Sequence, residues 1–163
     1  MIDKEEPLLT IGVVARKLNT SVHSIRLYER EGLLLSYKKE SGHRLFSEKD
    51  VERIVCIKKS ITENKVSING MRMLLSLIPC WKIKNCPKDE RDTCPAFLEH
   101  ESPCWQYKDT VKGDCATNDC RICPVYTSIG SCEELKSLLQ KFMVLDSETA
   151  ETRTPTRINE ATQ

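Results

Sequence analysis

The stretch Thr10-Ile-Gly-Val-Val-Ala-Arg-Lys-Leu-Asn-Thr-Ser-Val-His-Ser-Ile-Arg-Leu-Tyr-Glu-Arg-Glu-Gly32 decides the fold. Thr10 is a residue type that caps helix N-termini, and Ile11, Val14, Ala15 and Leu18 follow at i, i+3, i+4 and i+7, predicting a short amphipathic helix over 11–18. Asn19 suits the left-handed backbone of a tight turn. Ser21 then caps a second helix from Val22 to Glu31, which Gly32 ends. Two short helices joined by so short a link have helix-turn-helix spacing.

Working outward, residues 33–46 run from Leu33 through the polar Lys38-Lys39-Glu40-Ser41-Gly42 to Leu45 and Phe46, the pattern of a β-hairpin with a basic tip. Ser47 caps a third helix, with Asp50 at the acidic position of a capping box and Val51, Ile54, Val55, Lys58 and Ile61 tracing its expected inner face. Ser67 opens a fourth, apolar at Ile68, Met71, Leu74, Leu75 and Ile78, and Pro79 stops it. The expected fold class is mainly α with a small β wing, a winged helix-turn-helix over residues 8–78.

In a helix-turn-helix the second helix enters the major groove of double-stranded DNA and offers its N-terminal side chains to base edges. Those side chains are Val22, His23 and Ser24. One turn on, Arg26 and Tyr28 are suited to phosphates, and Lys38, Lys39, His43 and Arg44 of the hairpin add positive charge along the backbone, as a wing does. The runs Leu9-Thr-Ile-Gly-Val-Val-Ala15, Ser21-Val-His-Ser-Ile-Arg-Leu-Tyr-Glu-Arg-Glu-Gly-Leu-Leu34 and Ser41-Gly-His-Arg-Leu-Phe-Ser47, with Asp50-Val51, together resemble the MerR family. The resemblance implies transcriptional regulation, backbone contacts from Arg26, Tyr28 and Arg44, and approach to bases by His23 and Ser24. It also implies a homodimer. This chain departs at Leu27, Ser36, Lys38 and His43, where the family pattern has Tyr, Pro, Arg and Tyr. In place of the family's long dimerisation helix it has Pro79 and a cysteine-rich stretch.

From Pro79 to about Gly130 the helical period gives way to Cys, Pro, Trp and acidic residues. Pro79-Cys80-Trp81 recurs as Pro103-Cys104-Trp105, and Cys94-Pro95-Ala96-Phe97 as Cys123-Pro124-Val125-Tyr126, in the same order. Of nine cysteines only Cys56 stands apart; Cys80, Cys86, Cys94, Cys104, Cys115, Cys120, Cys123 and Cys132 lie close together. Thiolates are soft, charged donors, so these eight are the candidate ligands for zinc or an iron–sulfur cluster. Reversible thiol–disulfide chemistry and reduced structural cysteines are the alternatives. Only Cys120-Arg-Ile-Cys123 has the spacing that sets two sulfurs on one ion, and the remaining gaps match no standard zinc ribbon or ferredoxin. The repeat resembles the bacterial module described as a two-CW domain, over residues 79–126, a resemblance that brings no established activity with it.

The expected organisation is a DNA-binding domain at 8–78, a small irregular cysteine-rich module at 79–132, a short amphipathic helix at 133–145 and a disordered tail at 146–163. The helix, apolar at Leu135, Leu138, Leu139, Phe142 and Leu145, is a candidate for the missing dimer contact or for packing on the module. Residues 1–78 carry 14 Lys+Arg against 10 Asp+Glu, and residues 79–163 carry 11 against 14, placing the basic surplus on the DNA-reading half. With no apolar run of bilayer length and no signal-peptide pattern in Met1-Ile-Asp-Lys-Glu-Glu6, a cytoplasmic, reducing location without membrane contact is expected. The functional expectation is a non-enzymatic, sequence-specific transcriptional regulator whose activity depends on the metal, iron–sulfur or redox state of its cysteines. The competing readings are a DNA-binding accessory or architectural protein with a purely structural zinc-type module, and a thiol redox protein using its winged helix for protein contacts. His100 is the one histidine available to a cysteine nucleophile, and nothing places it beside one.

Overall fold

The helix starts follow from local side chains. In the computed structural model, which describes residues 4–150, Thr10, Ser21, Ser47 and Ser67 each accept a backbone N–H with their hydroxyl at the head of a helix. These helices are α1 (Ile11–Lys17), α2 (Val22–Arg30), α3 (Glu48–Thr62) and α4 (Ile68–Ser76). Ser47 and Asp50 complete the expected capping box, so two N–H groups that the helix itself leaves unpaired are satisfied reciprocally. Asn19 takes the left-handed conformation expected of the turn. Gly32 does so at the end of α2, where its N–H bonds Glu29 O at 3.0 Å and the Leu33 N–H bonds Tyr28 O at 2.9 Å, a Schellman closure that favours glycine.

The wing is smaller than the sequence suggests. Only β2 (Tyr37–Lys38) and β3 (Arg44–Phe46) pair as a hairpin, closed by Lys39 N–H to His43 O at 3.0 Å and by Gly42 at positive φ. A third strand that the sequence analysis lacks, β1 (Leu9–Thr10), pairs antiparallel with β3, giving the order β1-β3-β2. Leu33 and Leu34, expected to begin the hairpin, are instead fully buried between α2 and the wing. Two apolar assignments also change face. Val55 is 46% exposed and Leu74 42% exposed, while Arg53 and Ile57 take the inward positions on α3. Lys58 is half-buried, and its ammonium donates to Leu18 O at 2.9 Å and Asn19 O at 3.1 Å, satisfying carbonyls at the end of α1.

The cysteine-rich stretch is expected to be irregular, yet it is a chain of single helical turns. They are α5 (Cys80–Ile83), α6 (Lys88–Arg91), α7 (Pro95–Leu98), a 3-10 turn at Cys104–Tyr107, α8 (Asp114–Thr117), a 3-10 turn at Cys120–Ile122 and α9 (Pro124–Thr127). Proline explains several of the starts. In Cys94-Pro95 and Cys123-Pro124 the cysteine sits just outside the turn and proline occupies its first position, where its fixed φ is favourable and its missing N–H costs nothing. The sequence repeat is also a packing repeat. Trp81 meets Phe97 edge-on at 5.0 Å, and Trp105 meets Tyr126 in the same way at 5.2 Å. The halves interlock crosswise, α5 against α9 and α7 against the Cys104–Tyr107 turn.

The helix-turn-helix segment and the module share one core rather than forming two. Trp105, Val125, Tyr126 and Ile129 belong to the same buried cluster as Ile25, Leu34, Phe46 and Ile54. The last helix, α10 (Cys132–Ala150), is longer than the expected 133–145 and takes up the first residues assigned to the tail; residues 151–163 lie outside the described residues. Leu135 and Leu138 pack on the common core, and Cys132 is disulfide-bonded to Cys56 of α3, with Cα atoms 5.5 Å apart. Leu139 and Leu145 lie outside the described side chains.

A shared core predicts shared unfolding. Trp105→Ala should destabilise the protein by about 3–5 kcal/mol, and urea unfolding followed through both halves should remain one coincident transition. A separate transition for the first 78 residues, unmoved by the substitution, would contradict it.

Candidate nucleic-acid interface and cysteine cavity

The capping serine at 21 orients α2 so that His23 and Arg26 stand exposed on one side while Ile25 and Tyr28 point into the core. On the wing, Lys38, Lys39 and His43 are exposed, and Ser41 Oγ lies 3.0 Å from His43 Nδ1. Arg44 is half-buried. Its Nε donates to Glu29 Oε1 at 3.2 Å, and Ser36 Oγ bonds the same oxygen, so one carboxylate ties the wing to α2. Of the expected DNA-reading residues, the structure therefore gathers His23, Arg26, Lys38, His43 and Arg44 on two adjoining elements.

Three others sit differently. Tyr28 is only 7% exposed, its ring is part of the core, and burial pushes its hydroxyl pKa up; its visible role is packing beneath α2. Val22 packs against the same core. Ser24 supplies the N–H that Ser21 accepts at 2.9 Å, and its hydroxyl lies 2.8 Å from Ser21 Oγ, so that group is engaged in the cap.

The contact between the halves has no counterpart in the sequence pattern. Between α2 and the wing, the backbone of residues 32–35 is buried or half-buried and has few partners of its own. Trp105 Nε1 donates to Gly32 O at 2.7 Å, Leu35 N–H donates to Tyr126 Oη at 2.9 Å, and Arg121 Nη1 donates to Leu35 O at 2.6 Å. Arg121 Nη2 also pairs with Asp50 Oδ2 at 3.0 Å, so the capping-box carboxylate doubles as an anchor for the module. Beside it, the Arg53 guanidinium lies 3.7 Å over the Tyr126 ring and donates to Tyr126 O at 2.6 Å. Burial draws the Arg53 pKa down and raises that of Tyr126. The one sequence signal for this clamp was Arg121 itself, a charged residue enclosed by Cys120 and Cys123.

The seven free cysteines, Cys80, Cys86, Cys94, Cys104, Cys115, Cys120 and Cys123, all line one cavity of about 60 Å³. Its walls also include Trp81, Phe97, Trp105 and Val125, and Lys84, Arg91 and Lys108 are its cations; no carboxylate lines it. Cys132, expected among the ligands, is excluded because its sulfur is bonded to Cys56. Cys80 and Cys104 share a hydrogen bond, which draws the Cys80 thiol pKa down and, with burial, drives that of Cys104 far up. Burial raises Cys86, Cys115 and Cys120. The donors suit soft metals, although among the described residues no group of three His, Cys, Asp or Glu is arranged to hold a single ion. His100 packs on Phe97 and does not line the cavity. No helix among the described residues is long and apolar enough to cross a membrane.

Residues 9–78 match the family model described as MerR HTH family regulatory protein. Over 93 residues the chain is 34% identical to the HTH-type transcriptional regulator MlrA of Escherichia coli (strain K12), a match covering 56% of this chain and 37% of that protein. It is 39% identical over 70 residues to MlrA of Salmonella typhimurium (strain SL1344), covering 42% and 28%. It is 43% identical over 53 residues to the mercuric resistance operon regulatory protein of Pseudomonas fluorescens, covering 32% and 37%. The chain thus spans about a third of the length of the curated relatives it matches.

Exposure and protonation predict the order in which the thiols react. With the protein metal-free and reduced, iodoacetamide should modify exposed Cys115 first and Cys104, protonated and buried, last, as read by peptide mass spectrometry. Early modification of Cys104 would rule out the arrangement described.

Proposed function

We propose that this protein is a cytoplasmic, non-enzymatic, sequence-specific DNA-binding transcriptional regulator whose DNA-reading geometry depends on the state of its cysteine module. The DNA-binding part is supported by the MerR-type match over residues 9–78 and by the cationic side chains that α2 and the wing expose together. His23 faces base edges, while Arg26, Arg44 and Lys38 neutralise phosphates. His43 and Ser41 hold the wing tip against the backbone. Residues 79–126 act as a two-CW-type module, a reading supported by the paired Trp–aromatic contacts of its two repeats.

One observation carries the regulatory part. Each of the three module side chains that hold residues 32–35 is placed by a cysteine of the cavity: Trp105 follows Cys104, Arg121 lies between Cys120 and Cys123, and Tyr126 is in the turn that Cys123 begins. A change at those sulfurs, whether metal, iron–sulfur or redox, moves the groups that set the angle between recognition helix and wing. A homodimer reading two half-sites is part of the proposal, its contacts formed outside the cysteine cavity.

Binding to fragments of promoter DNA, measured by fluorescence anisotropy against salt concentration, tests the first part. Arg26→Ala should weaken binding to all sequences and reduce the salt slope by about 1, and His23→Ala should change the ratio of affinities between sites while leaving the slope intact. Equal binding by wild type and both variants would overturn the proposal.

A further inference from the structure

The two repeats of the module pack crosswise, the start of each against the end of the other: α5 meets α9, and the Cys104–Tyr107 turn meets α7. In such an exchange a residue meets its own counterpart only where the repeats cross. Cys80 and Cys104 are counterparts, each set between a proline and a tryptophan. They do meet, for the Cys104 S–H donates a hydrogen bond to Cys80 Sγ, which also accepts the Trp81 N–H. Cys120 and Cys123 act on Cys104 through charge alone. Both members of the pair are free, line the cavity and pack on the common core.

The shared hydrogen bond gives the two thiols different roles. Donors converging on Cys80 Sγ favour its thiolate and draw its pKa down, whereas Cys104 keeps the proton. The thiolate is the form that peroxides oxidise, so Cys80 is the attacking sulfur and Cys104 the one that resolves. Cys115 is exposed, but burial of its sulfur raises its pKa and makes it the weaker nucleophile. The cavity beside the pair encloses about 60 Å³. One water needs roughly 10–15 Å³ by the same measure, so hydrogen peroxide, with two oxygen atoms, fits within it. Cys115 on the cavity wall brings that space to the surface.

We propose that Cys80 and Cys104 are a hydrogen-peroxide-reactive pair that closes to a reversible disulfide between the two repeats. The Cys80 sulfur attacks one peroxide oxygen, the O–O bond breaks, and the departing hydroxide takes a proton to become water, leaving a sulfenic acid on Cys80. That step also removes the acceptor that held the Cys104 proton. Cys104 then releases its proton and attacks the Cys80 sulfur; the S–O bond breaks, and the second hydroxide takes that proton to leave as water. Two thiols and one peroxide thus give one disulfide and two waters, with two electrons passing from sulfur to oxygen. A dithiol reverses the reaction by exchange and is itself oxidised. Closure brings the sulfurs to about 2.05 Å, and Trp105, whose Nε1 holds Gly32 O, directly follows Cys104. The consequence for DNA reading rests on the regulator proposed above; the pair itself does not.

The full-length protein with its Cys56–Cys132 disulfide intact, held anaerobically, is treated with one equivalent of hydrogen peroxide, quenched with catalase, denatured and alkylated. The expected product loses two hydrogens and two of the seven reactive thiols, with Cys80 linked to Cys104 in the peptide map and the other five alkylated. A dithiol should return both. Cys104→Ser should stop at a sulfenic acid on Cys80, trapped by dimedone, while Cys80→Ser should leave Cys104 unmodified. Because either substitution lies against the core and can impair folding, the wild-type linkage decides by itself. Retention of all seven thiols, a first disulfide between any other two cysteines, or a sulfenic acid on Cys104 in the Cys80→Ser protein sinks the pair. DNA binding is scored on the same sample. A linked protein that binds DNA just as the reduced one does refutes redox control of the regulator and leaves the pair standing, and DNA binding that changes without the link overturns the pair alone.

Discussion

Where the chain leaves α2 and has not yet entered the wing, the Gly32 and Leu33 amides close the helix, but the Gly32 carbonyl and the Leu35 amide and carbonyl are held by side chains of the module. Buried backbone polar groups are almost always paired, and an orphan costs about 1–3 kcal/mol. Here the partners arrive from 73 to 91 residues away, as Trp105, Arg121 and Tyr126. The rest of the structure is arranged around that dependence. Arg121 can reach Leu35 O because Asp50 holds its other nitrogen, and Asp50 is in place because it closes the capping box of α3. Tyr126 is held in turn by Arg53, stacked on its ring, and by Trp105 at its edge.

The two repeats of the module are alike in internal packing and unlike in what lies outside them. Trp105 and Tyr126 are buried under the helix-turn-helix half, whereas Trp81 and Phe97 are half-buried and line the cavity on the first repeat's side. The first repeat only lines the cavity; the second also reaches beyond it, because its aromatics end in an N–H and an O–H that meet backbone groups between α2 and the wing. The disulfide from Cys56 to Cys132 and the packing of Leu135 and Leu138 bring α10 onto the same core.

Much of the N-terminal segment was legible because its determinants are local. Thr10, Ser21, Ser47 and Ser67 cap helices within three residues of themselves, and Asn19 and Gly32 mark the left-handed turns. Val55 and Leu74 were misplaced because an apolar side chain at helical spacing reads as core, and only the packed structure shows that Arg53, covered by Tyr126, holds the inward position on α3. Tyr28 is the converse case, a phenol read for its polar end and found buried for its ring. The repeat of Pro-Cys-Trp and Cys-Pro-x-aromatic was visible as text, but not its crosswise packing. No local pattern relates Arg121 to Leu35, Trp105 to Gly32 or Cys132 to Cys56, since each pair is brought together only by the finished fold.

Hydrogen exchange at the Leu35 amide tests the central claim most directly, because that N–H is bonded to Tyr126 Oη and to nothing in its own segment. The exchange is compared between the native protein and protein whose cavity thiols have been alkylated, with the amides of α3 as the internal reference. If the cysteine module sets the geometry between recognition helix and wing, alkylation speeds exchange at Leu35 by about tenfold or more, the loss of roughly 1.4 kcal/mol of protection, while α3 stays protected. An unchanged Leu35 amide in fully alkylated, folded protein would contradict it.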